Sequence, residues 1–264
     1  MLSRNSQNEP VQLDLSEVRP PSFVELPPTV GGSASAVVVV LHGLGDTTQG
    51  MPLQIVNTIR KDPVFGRVKW ILPQAPHRVV TGNMSKNMPA WFDMYHFNLE
   101  EGDEDERGML HSVASIDALL SEIAASGVDP SRIILGGFSQ GAAMTLLTGL
   151  TTTKKLGGLF VLSGRLPLRN KIKSMVSAHA GLLPLFWGHG TKDILVTYKL
   201  GRVSADFITT EIGLPAATSG SGAPGIDFHV YNGLAHYISD AELTDLAFWL
   251  KKVLPPMQDV PHVE

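Results

Sequence analysis

The chain has 264 residues, 43% of them apolar and 17% charged, with no cysteine and a formal charge of −4. That length and apolar content suffice for a buried core, and so low a charge fraction argues against a disordered chain. The missing thiol excludes disulfides, thiolate metal ligands, a cysteine nucleophile and S-acylation of the chain itself, and the mildly acidic balance gives no pull towards nucleic acid or an anionic membrane.

Residues 1–35 are polar and broken by Pro20-Pro21, Pro27-Pro28 and Gly31-Gly32-Ser33, which predicts an extended lead-in with one short edge strand near Ser22–Leu26. The lead-in has no apolar stretch of the signal-peptide kind, and no run of eighteen apolar residues follows that would span a bilayer. Leu2 and the closing Val263-Glu264 do not fit myristoyl or prenyl signals, and Asn83-Met84-Ser85 is read as a chance match to a glycosylation acceptor. The expectation is a cytoplasmic protein without a membrane anchor, with the nucleus as a second compartment.

Ala36–Leu41 is a continuous, β-branched apolar run ending at His42-Gly43, the pattern of a strand buried on both faces. The same unit recurs at Val68–Leu72, Arg132–Phe138, Gly158–Leu162, Leu185–Gly188 and Ile226–Tyr231. Helical spacing fills the gaps. Val113, Ile116, Leu119, Leu120 and Ile123 mark one face of a helix over Met109–Ala125, with Gly127 as its stop and Asp129-Pro130 opening the next turn. A second helix spans Tyr198–Ile212 up to Gly213, and a third runs to Leu254 behind the capping box Ser239-Asp240-Ala241-Glu242.

Strands alternating with helices predict an α/β domain over residues 36–256, with a mostly parallel central sheet covered on both faces. Residues 257–264 are left as a tail. Glu100–Glu106, with six carboxylates in seven positions, reads as a solvated acidic loop favouring the next helix start. Gly213–Gly225, uncharged and rich in Gly, Ser, Ala and Pro, reads as a flexible connector.

Gly137-Phe138-Ser139-Gln140-Gly141 is a G-x-S-x-G, weak on its own but placed between an apolar strand and a helical stretch. Strand, sharp turn and helix hold a serine proud of the sheet edge, and flanking glycines let the strained turn pack closely. A serine hydroxyl is a poor nucleophile and needs a base oriented by a carboxylate. In this frame the acid and then the histidine follow the serine, each in a loop beyond a strand. His236 lies just past the last strand and satisfies that order. His229 sits within the strand as a packed residue, His189 precedes the acid, His179 lies in a connection and His262 in the tail.

Asp193, just past the penultimate strand, is the carboxylate; Asp206 and Glu211 lie on a helix and Asp227 in a strand. The oxyanion donors are the N–H groups of Gln140, next to the serine, and Leu44, between two glycines in His42-Gly43-Leu44-Gly45-Asp46. That loop is neither a dinucleotide fingerprint, which fails at Thr48, nor a phosphate loop, which fails at Met51. His42 precedes the serine and is read as structural.

The ordered set His42–Asp46, Pro73-Gln74-Ala75-Pro76, Met88-Pro89-Ala90-Trp91-Phe92-Asp93, Gly136–Gly141, Ser163–Leu168 and His189-Gly190 with Asp193 and Leu195-Val196 resembles the acyl-protein thioesterase, lysophospholipase and small carboxylesterase family of α/β-hydrolases. The resemblance covers about Ala36 to Pro256. It implies Ser139, Asp193 and His236 as triad, Leu44 and Gln140 as oxyanion donors, no cofactor and no metal. It also implies a long acyl chain held in an apolar groove, for which Trp91 and Leu195 are the candidate contacts, and weak pairing into homodimers. Its substrates would be S-acylated proteins or, alternatively, lysolipids and small esters; a non-catalytic acyl-binding adaptor is the remaining reading. Where many relatives have Ser-Cys-x-Leu-Pro, this chain has Ser163-Gly164-Arg165-Leu166-Pro167, a departure that bears on chain-length preference.

Overall fold

The computed structural model describes residues 18–97 and 103–255. The lead-in up to residue 17, Glu100 to Gly102 of the acidic loop, and the tail from residue 256, with His262, lie outside the described residues.

The centre of the molecule is β2 (Ala36–Leu41), whose six residues are all buried. Side chains alternate across a strand, so Val37, Val39 and Leu41 enter one core while Ala36, Val38 and Val40 enter another. A strand flanked by two dry faces needs apolar residues at every position, which is why the sequence shows a run and not an alternation.

Around β2 the sheet runs β1 (Phe23–Leu26), β3 (Val68–Pro73), β2, β6 (Ile133–Phe138), β7 (Gly158–Leu162), β8 (Pro184–Gly190) and β9 (Gly225–Tyr231). All neighbours are parallel except β1, which pairs antiparallel with β3 as the predicted edge strand. A small antiparallel hairpin, β4 (His77–Val80) with β5 (Lys86–Pro89), stands apart from it.

Two helical layers enclose the sheet. On one face lie α1 (Met51–Ile59) and α6 (Asp240–Val253), whose Ile55, Val56, Leu246 and Trp249 join the core with Val38 and Val40. On the other lie α2 (Glu106–Ala125), α3 (Gln140–Thr151) and α5 (Tyr198–Phe207). Every residue of α3 from Gln140 to Leu150 is buried, so this helix shows no polar face. A single turn, α4 (Arg169–Ile172), follows β7.

From β2 the chain passes to β3 on one side and later returns as β6 on the other. Such a reversal opens a crevice at the carboxyl ends of the two strands, the usual ligand position in open α/β sheets. The loops after β2 and β6 carry Leu44 and Ser139.

Several expectations are corrected. The helix expected over Tyr198–Ile212 changes to a π turn at Ile208–Ile212 before Gly213, at φ +84°, ends it. The strand expected to stop at Gly188 runs on to Gly190 and takes in His189. The connector before β9 is pinned rather than free: Ala217 N–H donates to Ile226 O, Ile226 N–H to Pro215 O, and Leu214 is fully buried. At Gly225, φ +127°, an added Cβ would lie 2.7 Å from Pro215 O, so this glycine permits the close approach. In the predicted capping box Ser239 does accept the Glu242 N–H (3.2 Å). The Glu242 side chain, however, turns into the core against Gly188 instead of back to the cap.

The acidic loop is corrected as well. Asp105 caps α2 through Gly108 N–H, as its charge suggests, but it also accepts the N–H of Asp93. Glu104 is only partly exposed: it reaches across to Arg165 and to the N–H of Leu168.

Candidate active site

Ser139 joins β6 to α3 with φ 55° and ψ −116°, a backbone state that L residues avoid and that puts the side chain outside the run of both elements. Its N–H donates to Leu162 O at 2.9 Å, fixing the turn to β7. The glycines around it answer to contact. A Cβ at Gly137 would lie 2.6 Å from the backbone of Gly141, and one at Gly141 only 2.3 Å from Leu41 O.

Asp193 lies in the turn after β8 and is 5% exposed. Its Oδ1 accepts the N–H groups of Leu195 and Val196, both at 2.9 Å, and its Oδ2 accepts Nδ1–H of His236 at 2.7 Å. Burial pushes the carboxyl up, but the hydrogen bond and charge of His236, with the two N–H groups, outweigh it and the net shift is down. With Nδ1 as donor, Nε2 of His236 keeps its lone pair and faces Ser139 Oγ at 2.9 Å. The Phe138 ring packs 4.8 Å from the imidazole. The three residues picked from loop order and strand ends are thus one hydrogen-bonded chain.

Leu44 and Gln140 both border the space in front of Ser139. Gln140 opens α3, so its N–H is one of the free donors at a helix start. The Leu44 loop is held on each side. Gly45 N–H donates to Pro89 O of β5 (2.8 Å), and His42 beneath it is fully buried. His42 Nδ1–H donates to Gly43 O (2.7 Å) while Nε2 accepts from Ala75 N–H (3.0 Å) and the Gln74 amide (3.1 Å). Burial moves its pKa down, so the ring stays neutral, a structural pin as the sequence order implied.

His189 is also near the acid, 3.8 Å from Asp193 Oδ2, yet its Nε2–H is committed to Val196 O (2.8 Å) and burial lowers its pKa. His229 is not simply a packed strand residue: it pairs with Asp227 at 2.9 Å and lies 3.5 Å from Asp245. Among the described residues no three His, Cys, Asp or Glu side chains converge as a metal site.

In front of Ser139 opens a cavity of about 350 Å³, walled by Phe92, Met94, Phe97, Phe138, Ala143 and Leu195 among others. Leu195 stands where the sequence put it. Trp91 does not: it is 1% exposed and outside the lining, its indole N–H donating to His42 O at 2.9 Å. An indole offers a donor that a buried carbonyl can take, so Trp91 braces the Leu44 loop while its neighbour Phe92 forms the wall.

The sequence reading missed the reason the wall stays put. The Gln140 side chain accepts Trp91 N–H with Oε1 (2.8 Å) and donates to Phe92 O with Nε2 (2.9 Å). A glutamine beside the serine was visible, but only the folded chain shows which backbone it clamps. Gly164 has Ala142 and Val161 against it, leaving 2.7 Å or less for a Cβ.

A parallel sheet with helices on both faces, a serine on a strained strand-to-helix turn and acid and histidine after later strands define a hydrolase of the α/β-hydrolase fold. The chain belongs to the Phospholipase/Carboxylesterase family, whose model matches residues 29–254. It is 42% identical over 224 residues to acyl-protein thioesterase 1 of Cryptococcus neoformans var. neoformans, covering 83% of this chain and 93% of that one. With acyl-protein thioesterase 1 of Yarrowia lipolytica it shares 35% over 218 residues, 83% and 92% of the two chains. Among solved structures, Arabidopsis thaliana SOBER1 matches with a TM-score of 0.73 at 32% identity, covering 83% of this chain and 99% of that one. Zea mays acyl-protein thioesterase 2 matches at 0.71 and 28%, covering 89% and 99%.

Proposed function

We propose that this hydrolase removes long acyl chains from S-acylated proteins, with Ser139 as nucleophile. The observation that carries the reading is the unbroken chain Ser139–His236–Asp193 opening into an apolar cavity. The names of the fungal relatives, acyl-protein thioesterase 1, favour the thioester as the bond attacked.

In the first half-reaction Ser139 Oγ attacks the thioester carbonyl while His236 Nε2 takes its proton. The negative charge that forms on the carbonyl oxygen is met by the N–H groups of Leu44 and Gln140, each such donor being worth about 10²–10³ in rate. The C–S bond then breaks, His236 returns the proton to the thiolate, and the acyl group stays on Ser139. Water enters, gives a proton to His236, and attacks the ester, releasing the fatty acid and restoring the hydroxyl. Asp193 keeps the imidazole in the Nδ1–H tautomer and balances its charge in both halves.

A second reading is hydrolysis of lysolipids or small esters by the same atoms. It is favoured by the likeness to a probable carboxylesterase of Oryza sativa, 33% identical over 223 residues and covering 84% of this chain and 79% of that one. A purely acyl-binding role has no use for a hydroxyl set 2.9 Å from a partnered imidazole. No helix among the described residues is long and apolar enough to cross a membrane. Weak homodimer formation stays part of this reading.

Comparing kcat/KM on a palmitoyl-cysteine peptide, lysophosphatidylcholine and p-nitrophenyl butyrate separates the readings. Preference for the palmitoyl thioester by tenfold or more supports the first. Preference for either of the others contradicts it.

A further inference from the structure

Two side chains with fixed charge border the cavity, and they behave differently. Asp46 turns its carboxylate back onto the N–H groups of Thr47 (2.8 Å) and Met51 (2.9 Å), capping α1. Arg165 has no such local use. Its side chain is 12% exposed, and one terminal nitrogen lies 2.6 Å from Glu104 Oε1. The other oxygen of Glu104 accepts Leu168 N–H at 2.8 Å, so the acid is fixed at both ends and cannot swing away from the guanidinium.

The position of the pair gives it its meaning. Arg165 lies in the loop just past β7, the strand between those that lead to Ser139 and Asp193. Glu104 lies immediately before the α2 cap Asp105, on the far side of the segment that supplies Met94 and Phe97 to the cavity wall. Arg165 therefore brings a charge to the border of a mostly apolar space, and Glu104 holds it there from behind the lining.

An apolar tail gains by covering apolar wall, about fourfold in binding for each methylene removed from water. It gains nothing by covering the guanidinium of Arg165, which with its paired carboxylate loses hydration when buried under hydrocarbon. A chain long enough to reach the pair must stop there, turn back to solvent or force the pair apart.

We infer that the Arg165–Glu104 ion pair is the chain-length determinant of this enzyme: the acyl tail extends along the apolar wall and ends against the pair. The inference rests on Ser139 being the nucleophile of an acyl-ester hydrolase, and it adds the residue that sets which acyl groups are taken.

The test is kcat/KM for p-nitrophenyl esters stepped from butyryl to palmitoyl, on the wild type, on Arg165→Met/Glu104→Gln, and on Glu104→Gln alone. The double substitution removes both charges together and keeps an acceptor for Leu168 N–H; the single one is the milder variant should the double fold poorly. The wild type should rise by about fourfold per methylene and then level at a definite length. In the double variant that break should move to longer chains by about two methylenes or more, adding roughly tenfold or more beyond the old limit. The butyryl rate should stay within about threefold, and Glu104→Gln should move the break in the same direction.

An unmoved break, or an equal fall at every chain length, overturns the inference and leaves the hydrolase reading intact. Absence of Ser139-dependent hydrolysis of every ester overturns that reading, and the inference with it.

Discussion

Two carboxyl groups are buried beside the end of β8, and they have opposite surroundings. Asp193 receives three hydrogen bonds, from Leu195, Val196 and His236, and is held low. Glu242 is fully buried, and among the described residues neither of its oxygens has a hydrogen-bond partner. Burial pushes it up to about 8 and the charges of Asp245 and Asp193 add to that; the Ser239 backbone N–H, close by but making no hydrogen bond of normal geometry to either oxygen, offsets only part of it. Burial alone therefore does not decide protonation. The partners do, and they make one group a permanent anion for a histidine and keep the other a neutral acid packed against Gly188.

The sharpest way to break this contrast is Asp193→Asn. It preserves the shape of the side chain but offers an amide to His236, which favours the wrong imidazole tautomer; kcat should fall on the order of 10⁴ with circular dichroism unchanged. A fall under tenfold would mean that Asp193 does not orient the base.

Gln140→Ala tests the support around the site. It deletes the clamp on Trp91 and Phe92 while leaving the Gln140 backbone N–H in place. Loosening the wall should cost about 10²-fold in kcat/KM. A larger loss for long esters than for short ones would show that the wall is affected, and equal losses would point to the Leu44 loop braced by Trp91.

Glu242→Gln should leave kcat within a few fold and act on stability. The folded chain keeps the Glu242 proton between about pH 4.5 and 8, where the unfolded chain has released it, so stability should fall as pH rises through that window. The ceiling on this loss is about 5 kcal/mol, at roughly 1.4 kcal/mol for each pKa unit. Asp193 acts in the opposite sense: its contribution is present above the ordinary aspartate range and is lost as pH falls through its lowered pKa. Urea melts from pH 5 to 9 should show the Glu242 slope flattened in Glu242→Gln and kept in Asp193→Asn.

The smallest effect is expected at Leu195→Ala. This side chain lines the cavity but is half exposed, so kcat/KM for long esters should drop by about three- to tenfold and that for butyrate hardly at all.

Much of this contrast was legible in the chain. Asp193 could be picked out because it follows a buried apolar run, and strand ends are where an α/β sheet presents its chemistry. The strands themselves were plain because both faces are dry. Glu242 was read as half of a capping box, since Ser-x-x-Glu before an apolar run carries that meaning in the sequence; its turn into the core depends on the gap above Gly188. Trp91 was misread for a related reason. A tryptophan beside an apolar motif fits either a wall or a core, and only the carbonyl of His42 decides between them.

The hairpin β4–β5 and helix α1 were not foreseen. Residues 77–89 show no clean alternation, and α1 carries Pro52 in its first turn with Ile55, Val56 and Ile59 as its short apolar stripe. The hold of Glu104 on Arg165 joins residues 61 positions apart. A dense acidic run gives no local signal that one member turns partly out of solvent to such a partner.

The central claim is that Ser139 carries the acyl group. The most direct measurement is intact-protein and peptide mass spectrometry after rapid acid quench with a palmitoyl thioester. The account predicts a palmitoyl adduct on the peptide containing Ser139, formed on the timescale of turnover and absent in Ser139→Ala. An adduct on another residue, or turnover that persists in Ser139→Ala, would contradict it.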